Sequence, residues 1–458
     1  VVGRTQGEAE PVIRRVVRFL DQRTASVPFV RKVLRYVFPD HWSFLLGEVA
    51  LYAFIVLVAT GVYLTFFFVD SSQQVVYHGP YLPLRGQEMS EAYRSVLDIS
   101  TTVKAGLLIR QTHHWAANIF VAAVILHLFR VFFTGAFRKP RDLTYLLGVT
   151  MLVLALLEAF LGYSMVDDLM SGMGLAIGYS VGLSIPLIGG NIMNWLFHGP
   201  FPGGEVLLPR LYIVHVLVFP ILIGTLLVGH LALVALRHHT QFRQRRTETE
   251  HAVVGVPTFP GQTPRSLGLL FAVCGVLFLL GGLVQINPIW LWGPFHVYDA
   301  TNGAQPDWYL GWLIGGLRLV PGFDVTIGQY TLIPNAFWGG VLFPTIVIGF
   351  LYFWPWAERK LTGDTGFHNL LERPRDNPLR TGVGVAMVTW VLLVFLAGSA
   401  DRIYVLLNIT YESQIWAFRV LVLVGPVVAG LLAARICREL QRGEVVERER
   451  ERAQQLAT

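Results

Sequence analysis

The sequence predicts an all-α integral membrane protein: eight transmembrane helices preceded by an amphipathic helix lying on the membrane surface. Three observations carry that expectation. Of the 458 residues, 53% are hydrophobic and only 14% charged, with a mean hydropathy of +0.53, whereas a soluble chain carries about 25% charged residues. The apolar residues gather into eight separate stretches, each long enough to cross a bilayer core of about 30 Å as a helix. Two of these stretches hold paired histidines at nearly one interval, His113 with His127 and His215 with His230.

Residues 9–38 alternate Arg and Lys with apolar residues at helical spacing, through Val12, Val16, Val17 and Leu20 and then Val30, Val33, Leu34 and Val37. Such a stretch lies in the interface, and Pro28 breaks it. The spanning stretches follow at 44–68, 105–134, 144–165, 210–236, 267–287, 334–356, 382–399 and 415–436. The chain therefore divides into an amphipathic segment 1–41, a four-helix unit 42–237, a linker 238–265, a second set of four helices 266–436 and a charged tail 437–458. The two termini and the even-numbered connections, with Arg435 at the end of the last span, hold 27 of the 36 lysines and arginines. The positive-inside rule places both termini and those connections in the cytoplasm. The net charge of +6 shows no pattern suited to nucleic acid, and the first forty residues are too charged for a signal peptide.

The histidines suggest what the first four helices hold. At about 100° per residue, fourteen steps return a side chain to within roughly 40° of its starting face and raise it about 21 Å. One helix thus offers His113 and His127 to the same side, one near each membrane surface, and His215 and His230 repeat the pattern. A lone intramembrane histidine is more often bonded to a neighbouring helix than to a metal. Two pairs with matching intervals instead form the ligand set of two stacked haems, and the unit reads as a di-haem four-helix bundle. No Cys-x-x-Cys-His occurs, so the haems are non-covalent. The second and fourth spans run in the same direction, which pairs His113 with His215 as outer ligands and His127 with His230 as inner ligands. The extra residue in the second interval calls for a bulge near Pro220. His114 points about 100° from His113 and reads as a packing residue.

Glycines repeat the interval: Gly47 and Gly61 in the first span, Gly148 and Gly162 in the third, each pair fourteen apart. A planar macrocycle inside a bundle needs positions without side chains at its own depth, although membrane helices also use glycine simply to pack. Arg110 and Arg130, each three residues from a ligand, are placed to neutralise haem propionates. The connections 166–209 and 288–333 are long, apolar and rich in Gly, Pro and aromatics, as packed interfacial segments are. The second contains Pro306-Asp307-Trp308-Tyr309. A carboxylate beside two aromatics near the outer histidines suits oxidation of a hydroquinone, the aromatics shaping a slot and Asp307 taking a proton.

These residues resemble the cytochrome b of the quinol–cytochrome c reductase (cytochrome bc) family over nearly the whole chain. The histidine pairs, the four glycines, Arg110, Arg130, Gly162-Tyr163 and Pro306–Tyr309 carry the likeness. The resemblance implies two b-type haems, the outer of low and the inner of high potential. It implies an outer quinol pocket between the two long loops, with Gly162, Pro306, Asp307, Trp308 and Tyr309 at it, and an inner quinone site. It also implies a homodimer, Rieske iron–sulfur and c-type cytochrome partners, contact with membrane lipid, and a contribution to the proton motive force. Phe38-Pro-Asp-His-Trp-Ser-Phe44, the run Gly162–Gly172 and His238-His-Thr-Gln-Phe242 are most similar to the actinobacterial branch, implying menaquinol as substrate and a supercomplex with a cytochrome c oxidase. Two features depart from the common pattern. Pro-Asp-Trp-Tyr stands where Pro-Glu-Trp-Tyr is commoner, one methylene shorter. The fifth span opens on Pro264-Arg265-Ser266 where many members carry an acid, which leaves His239, then His238, as residues for the inner site.

Overall fold

The computed structural model describes residues 12–244, 248–301 and 305–457; Arg245 and Arg246 of the basic fourth connection, the first residues of the surface segment and Thr458 lie outside them. Among the described residues, eight helices are long and apolar enough to cross a membrane: Trp42–Thr65, Gly106–Phe133, Asp142–Ser164, Leu207–Arg237, Thr258–Leu283, Trp338–Thr362, Pro378–Gly398 and Tyr411–Glu447. They coincide with the eight expected stretches to within a few residues at most ends.

Three departures have local causes. The surface segment is two helices, Val12–Thr24 and Val27–Leu34. The break falls at Ala25, in the left-handed region with φ +48°, while Pro28 sits in the first turn of the second helix, where its missing N–H costs nothing. The fifth helix starts earlier than its hydropathy, through a turn at Thr258–Gln262, so the linker is shorter than 238–265. The last helix runs unbroken from Tyr411 to Ala457. Charge ends a hydropathy signal at residue 437 without ending helicity, because Glu, Arg and Gln are good helix formers.

The fourth helix contains the expected relief. A π-helical turn at Val214–Val218 lies between Leu207–Ile213 and Phe219–Arg237. One extra residue per turn lets His215 and His230 share a face despite their longer interval. Pro220 follows in the first turn of the continuing helix.

Both long loops opposite the termini are folded, as expected of packed segments. The first holds helices Leu169–Leu183 and Gly189–Phe197; Asp168 caps the former, its carboxylate accepting from the Ser171 N–H at 2.8 Å. The other holds Ile289–Trp292, Gly311–Leu319 and a hairpin of Val325–Ile327 with Tyr330–Ile333. An antiparallel bridge between Asp168 and Pro294 joins them. A Cβ on Gly172 would meet the Phe295 ring at 2.2 Å, so the loops approach where only glycine fits. Near the other end, the wholly buried Arg380 donates to Glu358 and Glu372, tying the sixth and seventh helices together. Paired charges of this kind are costly to break singly.

Candidate redox and quinone sites

Four imidazoles face the interior of the first four helices in two tiers. His113 and His215 line a cavity of about 270 Å³ near the folded loops; His127 and His230 line one of about 800 Å³ toward the termini. The rings of His113 and His215 lie 6.3 Å apart between centroids, about what one metal bonded to both imidazoles at roughly 2 Å requires.

The four glycines stand opposite these rings. A Cβ on Gly47 would lie 3.5 Å from His127 Cε1, on Gly61 3.3 Å from His113 Cε1, on Gly148 3.7 Å from His230 Cε1 and on Gly162 2.5 Å from His215 Cε1. Each glycine therefore keeps space at the level of one histidine. Buried polar atoms are also left without protein partners among the described residues. They include Nη2 of Arg110, Nε and Nη2 of Arg130 and Nδ1 of His127. Buried guanidinium groups of this kind need an anion. Arg110 is fixed by its other nitrogens, Nε donating to Ser100 Oγ at 3.0 Å and Nη1 to Asn287 O at 3.2 Å. Arg130 lies over the Phe44 ring at 4.1 Å. Opposed imidazoles, side-chain-free gaps and unpaired cations fit a planar, twice-ligated macrocycle bearing carboxylates in each tier. His230 Nδ1 and His215 Nδ1 face Thr144 O at 3.0 Å and Glu158 O at 3.2 Å, which leaves Nε2 for a metal.

The upper cavity also contains Asp307, Tyr309, Gly162 and Tyr163. Asp307 occupies the N-cap position of the turn Trp308–Leu310 but makes no capping bond through its side chain. Its carboxylate instead lies 2.8–2.9 Å from His114 Nε2 and accepts from the Tyr309 hydroxyl at 2.7 Å. Burial pushes this carboxyl up, but the charge of His114 and hydrogen bonds from His114, Tyr309 and Asn118 outweigh it and hold it below the ordinary value. Burial and the neighbouring carboxylate raise the Tyr309 phenol. Pro306 and Trp308 do not line the cavity, and Trp308 is 42% exposed. The aromatic residues that line the cavity are Phe54, Phe68, Phe120, Tyr163, Tyr212 and Tyr309. His114, read from the sequence as a packing residue, is the principal partner of Asp307. No sequence signal links them, since they are 193 residues apart.

The lower cavity extends past its histidines to the polar ends of the bundle, reaching His238, His239, Tyr36, His41, Arg141 and Glu48. His239 Nδ1 lies 3.0 Å from the Tyr36 hydroxyl and its ring packs against Phe38. Burial first, then the charges of Arg130 and Arg141, lower its pKa to about 4, so His239 is a neutral hydrogen-bonding group. His238 stacks on Tyr36 with ring centroids 5.2 Å apart. Arg141 donates to the carbonyls of Arg237 and His238, capping the fourth helix and fixing both histidines.

Eight spans, with cofactor-sized gaps stacked between imidazoles, define a membrane redox subunit. The comparisons narrow the class. Residues 118–294 match the family model described as cytochrome b(N-terminal)/b6/petB. The cytochrome bc1 complex cytochrome b subunit of Streptomyces coelicolor is 44% identical over 439 residues, covering 96% of this chain and 80% of that one. The corresponding Mycobacterium tuberculosis subunit is 44% identical over 435 residues, covering 94% and 78%. The fold is similar to that of a chain in a hyperthermophilic respiratory Complex III, with a TM-score of 0.68 at 20% identity over 91% of this chain and 98% of that one. This chain belongs to the cytochrome b subunits of cytochrome bc1 complexes, and is a catalytic, multi-pass membrane subunit of a quinol–cytochrome c reductase.

Proposed function

We propose that the chain oxidises menaquinol in the upper cavity, at the outer face of a bacterial plasma membrane. It then passes electrons inward to a quinone bound in the lower cavity, with both termini in the cytoplasm. His113 and His215 would hold an outer b haem, His127 and His230 an inner one, with Arg110 and Arg130 toward their propionates. Bound there, the haems supply one-electron carriers stacked across the membrane. A Rieske iron–sulfur subunit takes the other electron and passes it to a c-type cytochrome. The complex is a homodimer joined to a cytochrome c oxidase, and oxidation outside with reduction inside adds to the proton motive force.

The observation that carries this reading is the arrangement around Asp307. A quinol oxidised in a cavity with little water must lose its hydroxyl protons to a base that is ionised when it arrives. Asp307 meets that need: its carboxylate lines the cavity, is held below its ordinary pKa and is aimed by His114 and Tyr309. Accepting a proton weakens its hold on these donors, so the side chain is free to turn outward and release it. Pro306 and Trp308 flank Asp307 at the start of the turn Trp308–Leu310.

Asp307→Asn keeps the shape and one acceptor oxygen but cannot accept a proton. Turnover with quinol and cytochrome c is expected to fall about ten- to a thousandfold, within or near the range for losing a general base, with both haem spectra retained. Asparagine can still accept a hydrogen bond from His114 or Tyr309, so near-normal turnover would reduce Asp307 to a turn residue.

A further inference from the structure

The lower cavity needs a proton source that His239 does not supply. Reduction of a quinone turns both carbonyl oxygens into hydroxyls and consumes two electrons, drawn from quinol at the outer site, and two protons from the side on which the cavity opens. His239 is neutral, with its pKa lowered to about 4. The cavity has two carboxylates among the described residues, Asp40 and Glu48. Asp40 is 63% exposed and bound to Arg265 at 2.7 Å, so it belongs to the mouth.

Glu48 is different. It sits in the first turn of the helix Leu45–Thr65, one residue from Gly47, which faces His127. It is partly buried and has no ion-pair partner among the described residues. Its contacts are hydrogen bonds from neutral groups: Gln262 Nε2 donates to Oε1 at 3.1 Å and the Tyr52 hydroxyl to Oε2 at 3.2 Å. Gln262 is itself steadied by Ser266 Oγ at 3.1 Å. Its carboxyl is thus held by neutral groups and not by a cation among the described residues, so a proton passing through it breaks no ion pair. The exposed Asp40–Arg265 pair lines the same cavity and gives a route to solvent.

We infer that Glu48 is the proton donor of the inner quinone site, its carboxyl lying against one substrate carbonyl while His239 hydrogen-bonds at the same cavity. In the step, the carboxyl O–H bond breaks as an O–H bond forms on the reduced quinone oxygen. The carboxylate left behind is then reprotonated from the cytoplasm past Asp40, the second proton reaches the other oxygen through the same solvent opening, and the two electrons arrive singly, one from each of two quinols oxidised at the outer site. This rests on the lower cavity being the quinone-reducing site.

The test uses the intact complex and follows reduction and reoxidation of the b haems after rapid mixing with quinol. Glu48→Gln keeps an acceptor oxygen for Tyr52 or Gln262 but cannot donate an acidic proton. Reoxidation is expected to slow about a hundredfold, the order of a lost general acid, with initial haem reduction and both spectra unchanged and Glu48→Asp recovering most of the rate. Leu51→Trp, which fills the same cavity, separates the two levels of the reading. Slowing by Leu51→Trp with normal Glu48→Gln would overturn the donor while keeping the cavity. Normal rates in both variants would overturn the site itself. Equal slowing in the Gln and Asp variants, or loss of the inner haem spectrum, would assign Glu48 to packing.

Discussion

At one end of the histidine bundle, about 270 Å³ of cavity closes around a carboxylate already held by a histidine and a tyrosine. At the other, about 800 Å³ extends to an exposed aspartate–arginine pair and is lined by three arginines against two carboxylates. The same scaffold of opposed histidines and glycines therefore ends in two different electrostatic settings. On the proposed reading the difference follows from the direction of the chemistry. Oxidation releases protons and is served by a preformed, ionised acceptor in a confined site. Reduction takes protons up and is served by cations that attract electron density, neutral hydrogen-bonding groups and access to solvent.

The largest expected effect breaks the bundle into its tiers. His113→Ala and His215→Ala should each remove chiefly the outer haem, and His127→Ala and His230→Ala chiefly the inner one. Haem content and redox titration of the four variants check this; loss of one spectral component in both His113→Ala and His230→Ala would undo the pairing. A finer contrast uses the glycines. An added methyl at Gly162 would meet the His215 ring at 2.5 Å, whereas at Gly148 it would reach the His230 ring at 3.7 Å, an ordinary contact. Gly162→Ala should shift or diminish the outer haem spectrum, and Gly148→Ala should change the inner one much less. The reverse order, read by absorption and midpoint potential, would mean that the tiers are not confined as the two cavities indicate.

Much of this was legible because the signals are local. Hydropathy marks a span wherever it occurs, and helix geometry converts the interval from His113 to His127 into a shared face. The matching glycine intervals worked for the same reason. What the sequence hid is long-range or polar. His114 appeared to be a packing residue because its partner Asp307 lies in a distant loop. The exposed position of Trp308 depends on a turn that cannot be read from four letters. The short pairing of Val37–Pro39 with Gly255–Pro257 has no alternating pattern to betray it. Glu48 carries no sequence signal of its own, because an acid in the first turn of a spanning helix resembles an ordinary helix-end charge, favourable there through the helix dipole.

The smallest expected effect concerns His239 and sharpens the contrast between an ionised acceptor at the outer site and an uncharged histidine at the inner one. Its ring lines the lower cavity and is oriented by the Tyr36 hydroxyl at 3.0 Å. His239→Leu removes a neutral hydrogen bond, a loss of about 1 kcal/mol, and reoxidation of the inner haem by quinone should slow by roughly fivefold. The haem spectrum should stay intact, since the side chain is not a ligand. The pH dependence carries the sign. With a pKa lowered to about 4, the ring is uncharged throughout pH 6–8 and begins to protonate only as the pH falls toward 4. The slope of rate against pH between 6 and 8 should therefore be the same in His239→Leu and the parent protein, the two curves staying parallel at that offset and departing from parallel only below about pH 5. A histidine that shuttles protons at neutral pH would instead take part of that slope with it when replaced. An unchanged rate at every pH would leave His239 as a structural partner of Tyr36, with no contact to quinone.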